Sequence, residues 1–177
     1  MIEKKLITKE NLEFALEVQR IIFPKFDARH NYLASIEDNA FLKYYLLYTD
    51  GECVGISGFY ITEKDKKSGW LGWFGILPEY RRKKLGSIAL EMFFEECIEN
   101  GCTHARLYTD LEDNYATIQF YLKNGMVAEI YENSNDNLNG IGVLVFSKLL
   151  DKSVQFEPWG NKNLGLREQI EKQQVKE

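Results

Sequence analysis

The run Arg81-Arg82-Lys83-Lys84-Leu85-Gly86-Ser87 has the clearest chemical meaning in the chain. It follows a strand-like segment closing at Pro78 and precedes an amphipathic stretch, so the sequence places four consecutive cations on the first turn of a helix. Unpaired backbone N–H groups already make that end partly positive, and acidic side chains are the ones it normally prefers. Cations there make physical sense when a multiply charged anion, such as a diphosphate, sits over the helix start and accepts the amide hydrogens. Gly86 would let the backbone come close to such a group. A solvated basic turn on an otherwise acidic protein is the competing account, and composition alone does not separate the two.

A second constellation is Asn114 and Tyr121, seven residues apart and so close to two helical turns, which puts an amide and a phenol on one helix face. Asn114 reads either as a helix N-cap or as a hydrogen-bonding group for a ligand, and Tyr121 either as a proton donor or as packing beside Phe120. Other chemistries lack their residues. Cys53, Cys97 and Cys102 form no C-x-x-C pair and have no His at metal-ligand spacing, so buried thiols are the expectation. No G-x-x-x-x-G-K-[ST] loop, no G-x-G-x-x-G after a strand and no H-E-x-x-H helix occurs.

The chain's bulk properties narrow the partners. A net charge of -5 and a pI near 5.2 argue against nucleic acid, so an anion site must be local. No stretch reaches the roughly 18 to 20 apolar residues of a bilayer span, and Met1 to Lys5 lead into no signal-like run. No membrane partner and a cytoplasmic location are therefore expected. With 177 residues and 45% apolar content, one folded core is the expectation.

The elements that must position these groups follow from periodicity. Residues 2–7 read as a strand, and Thr8 as the cap of a helix carrying Leu12, Ala15, Leu16 and Ile21 and ending at Pro24. A second helix runs through Tyr32, Leu33 and Ile36. Phe41–Tyr48 and Val54–Ile61 flank Asp50-Gly51 as a hairpin, Glu63–Ser68 reads as a turn, and Trp70–Leu77 as the next strand. Leu85, Ile88, Ala89, Met92, Phe93 and Cys97 then mark a helix of about five turns ending at Asn100-Gly101. Ala105–Thr109 reads as a strand, Asn114–Asn124 as a helix stopped by Gly125, and Met126–Tyr131 and Ile141–Leu149 as strands around an Asn-rich turn. This order predicts an α/β protein with a mixed, twisted sheet of about six to seven strands and helices on both faces. Residues 151–177 read as a polar extension, either docked through Trp159, Leu164, Leu166 and Ile170 or a mobile helix.

Two segments carry a family resemblance. Pro78 to Leu90 is similar to the acyl-CoA signature of the GNAT superfamily, Q/R-x-x-G-x-G/A before a long helix, with Arg81, Lys84 and Gly86 at its defined positions and Lys84 replacing the first glycine. Asn114 to Met126 resembles the family's N-x-x-A-x-x-F/L-Y-x-x-x-G-F segment, with Thr117 at the alanine position and Met126 at the final aromatic. The order of the two, separated by one strand, strengthens the resemblance, which spans about residues 41 to 149.

That resemblance implies a GNAT acyltransferase domain over residues 1–150, with acetyl-CoA as acyl donor, a primary amine as acceptor and no metal. It implies a pantetheine arm lying along a splayed strand that contains Phe74 and Ile76, whose backbone groups would hold its amides and polarise the acetyl carbonyl. The amides of Arg82, Lys83, Leu85, Gly86 and Ser87 would cradle the diphosphate, with Arg81 and Lys84 adding charge. Asn114 would bind the cofactor arm. Tyr121 would protonate the departing thiolate, a phenol of pKa about 10 facing a thiol of about 8.5. Gly72 and Gly75 mark either a bulge or relief of crowding by Trp70 and Trp73.

The general base is left open, because Trp70–Leu77 contains no carboxylate, and Asp110, Glu112 and Asp113, which could act directly or through water, read more readily as a solvated turn. The acceptor is open too: Glu37, Asp38, Asp110, Glu112 and Asp113 either attract a cationic amine or are ordinary surface, Phe23, Phe26, Tyr32 and Trp73 either line a pocket or, as is commoner in so aromatic a chain, simply pack, and either a small molecule or a peptide fits. The sequence leaves room for a homodimer. A non-catalytic acyl-CoA-binding module of the same fold is the rival reading, and the phenol at Tyr121 speaks against it.

Overall fold

The computed structural model describes residues 1–37, 40–112 and 114–169, so Asp38, Asp113 and Ile170 lie outside the described residues. Its residues group into two compact units, one of Met1–Ala105 with Leu150–Val154, the other of Arg106–Leu149 with the described residues from Gln155 onward.

The first unit is built on antiparallel strands in the order β1-β2-β3-β4, where β1 is Glu3–Leu6, β2 Leu42–Thr49, β3 Glu52–Thr62 and β4 Asp65–Leu71. Asp50 and Gly51 join β2 to β3 with positive φ of 51° and 82°, the twist that matches a two-residue hairpin. The turn read at Glu63–Ser68 is shorter than expected, because Thr62 already pairs with Asp65. Lys66 and Lys67 belong to β4 and point to solvent, which is why they look loop-like in the sequence.

The predicted strand Trp70–Leu77 divides, and this accounts for eight strands among the described residues where about six to seven were expected. Gly72 N–H still donates to Gly58 O, and Gly75 and Ile76, forming β5, pair with Ile56 and Gly55. Trp73 and Phe74 therefore stand together opposite Ser57 as a β-bulge, with Trp73 at φ 42°. Left-handed backbone costs a non-glycine residue about 1–2 kcal/mol. A Cβ on Gly75 would collide with Ile22, and one on Gly72 would come within 3.2 Å of Tyr44. The crowding that these glycines relieve thus comes from Ile22 and Tyr44, whereas the sequence suggested Trp70 and Trp73.

Helices α1 (Leu12–Ile22) and α2 (Arg29–Glu37) pack Leu12, Ala15, Leu16, Val18 and Tyr32 against Tyr44, Leu46 and Ile56 of the sheet. Burying each such aliphatic side chain stabilises by about 1.5–3 kcal/mol. Thr8 does not cap α1. Asn11 occupies that position, and its Oδ1 accepts the Thr8 N–H at 2.8 Å. Ile21 is exposed, and Gln19 takes the buried position on α1's inner face.

A 3-10 turn at Pro78–Tyr80 leads through the cationic segment to α3 (Leu85–Glu99), about four turns long and so shorter than the five expected. Ala89, Leu90, Phe93, Phe94 and Cys97 are buried, while Ile88 is exposed. Glu96 is buried on the same helix because the Lys4 ammonium, at 2.7 Å, and the Tyr45 hydroxyl both satisfy its carboxylate.

The second unit orders its strands β6-β8-β7, with β6 His104–Asp110, β7 Val127–Tyr131 and β8 Val143–Leu149. Helix α4 (Tyr115–Lys123) packs Tyr121 on Phe146 of β8, ring centroids 5.2 Å apart. Gly125, at φ 80°, ends α4: Met126 N–H donates to Tyr121 O at 3.2 Å and Gly125 N–H to Leu122 O at 3.0 Å. The segment after Gln155 docks in irregular conformation and then enters a helical turn at residues 166–169. Trp159 is buried beneath the Arg106 guanidinium, and Glu129 accepts the N–H groups of Trp159 at 2.8 Å and Gly160 at 2.7 Å. Asp136 is fully buried, accepting the Tyr131 hydroxyl at 2.7 Å and the N–H groups of Leu164 at 3.0 Å and Arg167 at 3.1 Å.

Candidate active site

In the first unit the cationic segment lies in the loop before α3, and the helix proper starts one residue beyond it. The sequence had put all four cations on the first turn. Arg82 and Lys84 both take left-handed backbone, with φ of 60° and 63°. Lys84 is the position where the family signature has its first glycine, and its φ is the reason a glycine suits it. A loop that alternates backbone hand turns successive N–H groups toward one concave side, a shape suited to anions.

Helix α3 begins without a side-chain cap and without an acidic residue in its first turn. The Ile88 N–H makes the first helical bond, to Lys84 O at 3.1 Å, so helix geometry directs the N–H groups of Leu85, Gly86 and Ser87 beyond the helix end. Those three residues are half-buried, whereas Arg81, Arg82, Lys83 and Lys84 are exposed. An exposed basic rim thus surrounds a half-buried row of amides at a helix's positive end, a chemistry that fits the diphosphate of a nucleotide-bearing thioester.

The side chains of two cations have partners within the unit, one a backbone carbonyl and one a ring. Arg81 Nε donates to Ile76 O at 2.9 Å, so this guanidinium fastens the loop to β5. Lys83 lies 5.2 Å over the ring of Tyr80, whose hydroxyl donates to Glu52 at 2.7 Å. Neither contact was legible in the sequence. Phe74 and Leu85 pack against the core formed by Ile76, Val54 and Ala89, which leaves the backbone of the bulge as its polar feature. Trp73 Nε1 donates to Asn31 Oδ1 of α2 at 3.0 Å, a contact no sequence motif announces.

In the second unit Asn114 stands at the N-cap position of α4 but makes no side-chain cap. Its Nδ2 donates instead to Thr109 Oγ1 at 2.7 Å and to the Asp110 carbonyl and carboxylate at 3.2 Å, tying the helix start to the end of β6. Of the carboxylates considered as base, Asp110 is engaged in this way and Glu112 is exposed. Tyr121 is buried between Phe120 and Phe146, ring centroids 5.2 Å from each. Burial raises its phenol above the ordinary 10.0, so its proton is held throughout the neutral range. Among the described residues no group of His, Cys, Asp and Glu is arranged to hold a metal ion. No described helix is long and apolar enough to cross a membrane.

This mixed α/β fold recurs in solved acetyltransferases. A GNAT-family protein from Desulfovibrio desulfuricans superposes with a TM-score of 0.72 at 14% identity, over 85% of this chain and 100% of that one. The ribosomal-protein-S18-alanine N-acetyltransferase of Escherichia coli does so with a TM-score of 0.67 at 15% identity, over 88% and 100%. A GNAT acetyltransferase from Elizabethkingia anophelis with acetyl-CoA bound gives 0.65 at 16% identity, over 84% and 98%. No curated protein sequence matches the chain significantly. The model of the GNAT acetyltransferase family matches residues 12–126, well over half of the chain. The chain belongs to that family, and its activity is that of an N-acetyltransferase.

Proposed function

We propose that the chain moves the acetyl group of acetyl-CoA directly to a primary amine. The observation that carries this reading is the cationic loop with left-handed Arg82 and Lys84, opening onto the uncapped, half-buried start of α3. The N–H groups of Arg82, Lys83, Leu85, Gly86 and Ser87 bind the diphosphate, Lys84 adds charge, and Arg81 fixes the loop through Ile76 O. The bulge at Trp73–Phe74 interrupts the pairing of that strand, and the backbone of Phe74 and Ile76 serves the pantetheine arm and the thioester carbonyl. The solved relative with acetyl-CoA bound supports the choice of donor.

The amine nitrogen attacks the thioester carbon, and the C–S bond breaks as the adduct collapses. Tyr121 gives its proton to the departing thiolate, and the proton shed by the amine restores the phenol through solvent, so the products are an amide and a free thiol. Burial keeps the proton on Tyr121 at every working pH and makes the phenol a weaker acid, so the transfer is driven by the charge that develops on sulfur as the C–S bond breaks. Asn114 completes the cofactor-binding set through its Oδ1, since its amide nitrogen already donates to Thr109 and Asp110. The acceptor is a primary amine on a small molecule or a peptide, and the E. coli relative named for a ribosomal-protein alanine supports the peptide class.

The test is thiol release from acetyl-CoA with a panel of polyamines, aminoglycosides and peptides, beside calorimetric binding of CoA. The reading expects micromolar to submillimolar CoA binding and amine-dependent thiol release. CoA binding with no release above background for any acceptor class would reduce the chain to a binding module.

A further inference from the structure

The bulge carries a further inference, which rests on the carbonyl-polarising role proposed above for Phe74. A tryptophan at φ 42° is an unfavourable choice for a strand interior, so neighbouring groups must hold it there. Those groups come from α2 and from its connection to α1. Trp73 Nε1 donates to Asn31 Oδ1 at 3.0 Å, the Phe23 ring meets the indole edge to face at 5.4 Å, and Phe26 lies 6.2 Å away.

The grip is itself organised. Gln19, fully buried on α1, donates through Nε2 to Phe23 O at 3.3 Å and Phe26 O at 3.0 Å, and its Oε1 accepts the Ala28 N–H at 3.3 Å. Arg29, at the start of α2, makes a two-armed bridge to Glu13 at 2.7 and 2.9 Å. The connection is therefore pinned at both ends before it meets the indole.

We propose that Asn31 is a positioning residue: it holds the Trp73 indole, and through it the bulge backbone, so that the Phe74 N–H keeps its direction toward the thioester carbonyl. The proposed diphosphate site is built from Arg82 to Ser87 and not from Asn31, so loss of Asn31 weakens activation and spares binding. A single well-placed donor in such a site governs about 100-fold in turnover when it is removed outright. A donor misaligned but still present should lose less, about tenfold.

The experiment uses the full chain and three variants: Asn31→Ala, Asn31→Asp, which keeps an acceptor for the indole, and Trp73→Phe, which keeps the ring but deletes its donor. Turnover and CoA affinity are measured together with the infrared carbonyl band of bound acetyl-CoA labelled with carbon-13 at the acetyl carbonyl. Wild type should lower that band relative to free acetyl-CoA. Asn31→Ala and Trp73→Phe should each return it toward the free value and cut kcat about tenfold with CoA affinity within twofold, and Asn31→Asp should keep the band and at least half of kcat. A band and kcat unchanged in Asn31→Ala and Trp73→Phe would overturn the inference, as would a loss of CoA affinity in step with kcat. An unshifted band in wild type would instead locate the failure in the role given to Phe74.

Discussion

Replacing Lys84 by glycine should stabilise the protein and weaken its hold on CoA at the same time. Lys84 sits at φ 63° and ψ 1° immediately before α3, a left-handed conformation that costs an L-residue about 1–2 kcal/mol. Glycine removes that cost but gives the unfolded chain more freedom, returning about 0.4–1 kcal/mol. The difference leaves a net gain of about 0.5–1 kcal/mol. For a chain of 177 residues this raises Tm by about 1–4 °C. The same change deletes one of four cations around the proposed diphosphate, an exposed charge worth about 0.3–1 kcal/mol near a helix end. CoA affinity should fall by about two- to fivefold, more at low salt than at high salt. Scanning calorimetry and binding titrations at two ionic strengths read both effects. A Tm that drops in Lys84→Gly would refute the left-handed assignment, and an affinity that rises would refute the lysine's electrostatic role.

Three other perturbations bear on the site and on the segment docked after Gln155. Tyr121→Phe keeps the packing on Phe120 and Phe146, so stability and CoA affinity should hold while kcat falls about 100-fold; unchanged turnover would remove the phenol from the mechanism. Gly86→Glu puts bulk and negative charge among the first-turn amides of α3 and should abolish CoA binding in calorimetry, whereas retained affinity would move the diphosphate elsewhere. Burial alone would raise the Asp136 carboxyl, but the Tyr131 hydroxyl and the N–H groups of Arg167, Leu166 and Leu164 outweigh it and hold the pKa below the usual 3.8. A depressed carboxylate stabilises above its unfolded pKa and loses that contribution as pH falls through the folded one. Amide-exchange protection at Leu164 and Arg167 should therefore be complete at neutral pH and decline only below about 3.8; protection lost near pH 6 would contradict this.

Periodicity exposed most elements because their signals are local. The Asp50-Gly51 turn, the α3 stripe through Ala89, Phe93 and Cys97, and the stop at Gly125 each depend on a few neighbouring residues. What escaped depends on distant partners. Gly72 and Gly75 signalled a bulge as one of two readings, but nothing local shows that Trp73 is the residue taking positive φ, since the groups holding it are Phe23, Phe26 and Asn31. Arg81 looked like an anion ligand because its Ile76 carbonyl partner offers no side-chain signal. Asn114 read as either a cap or a ligand-binding amide, and its amide nitrogen turns back to Thr109 and Asp110. Docking of the segment around Trp159 involves Glu129 and Asp136, acidic residues whose backbone donors lie far off in sequence and leave no local signal.

A crystal structure of the protein grown with acetyl-CoA tests the central claim most directly. The account predicts the diphosphate within hydrogen-bonding distance of the N–H groups of Leu85, Gly86 and Ser87, ringed by the Arg82 to Lys84 loop. A diphosphate bound at any other surface, with the start of α3 left to solvent, would contradict it.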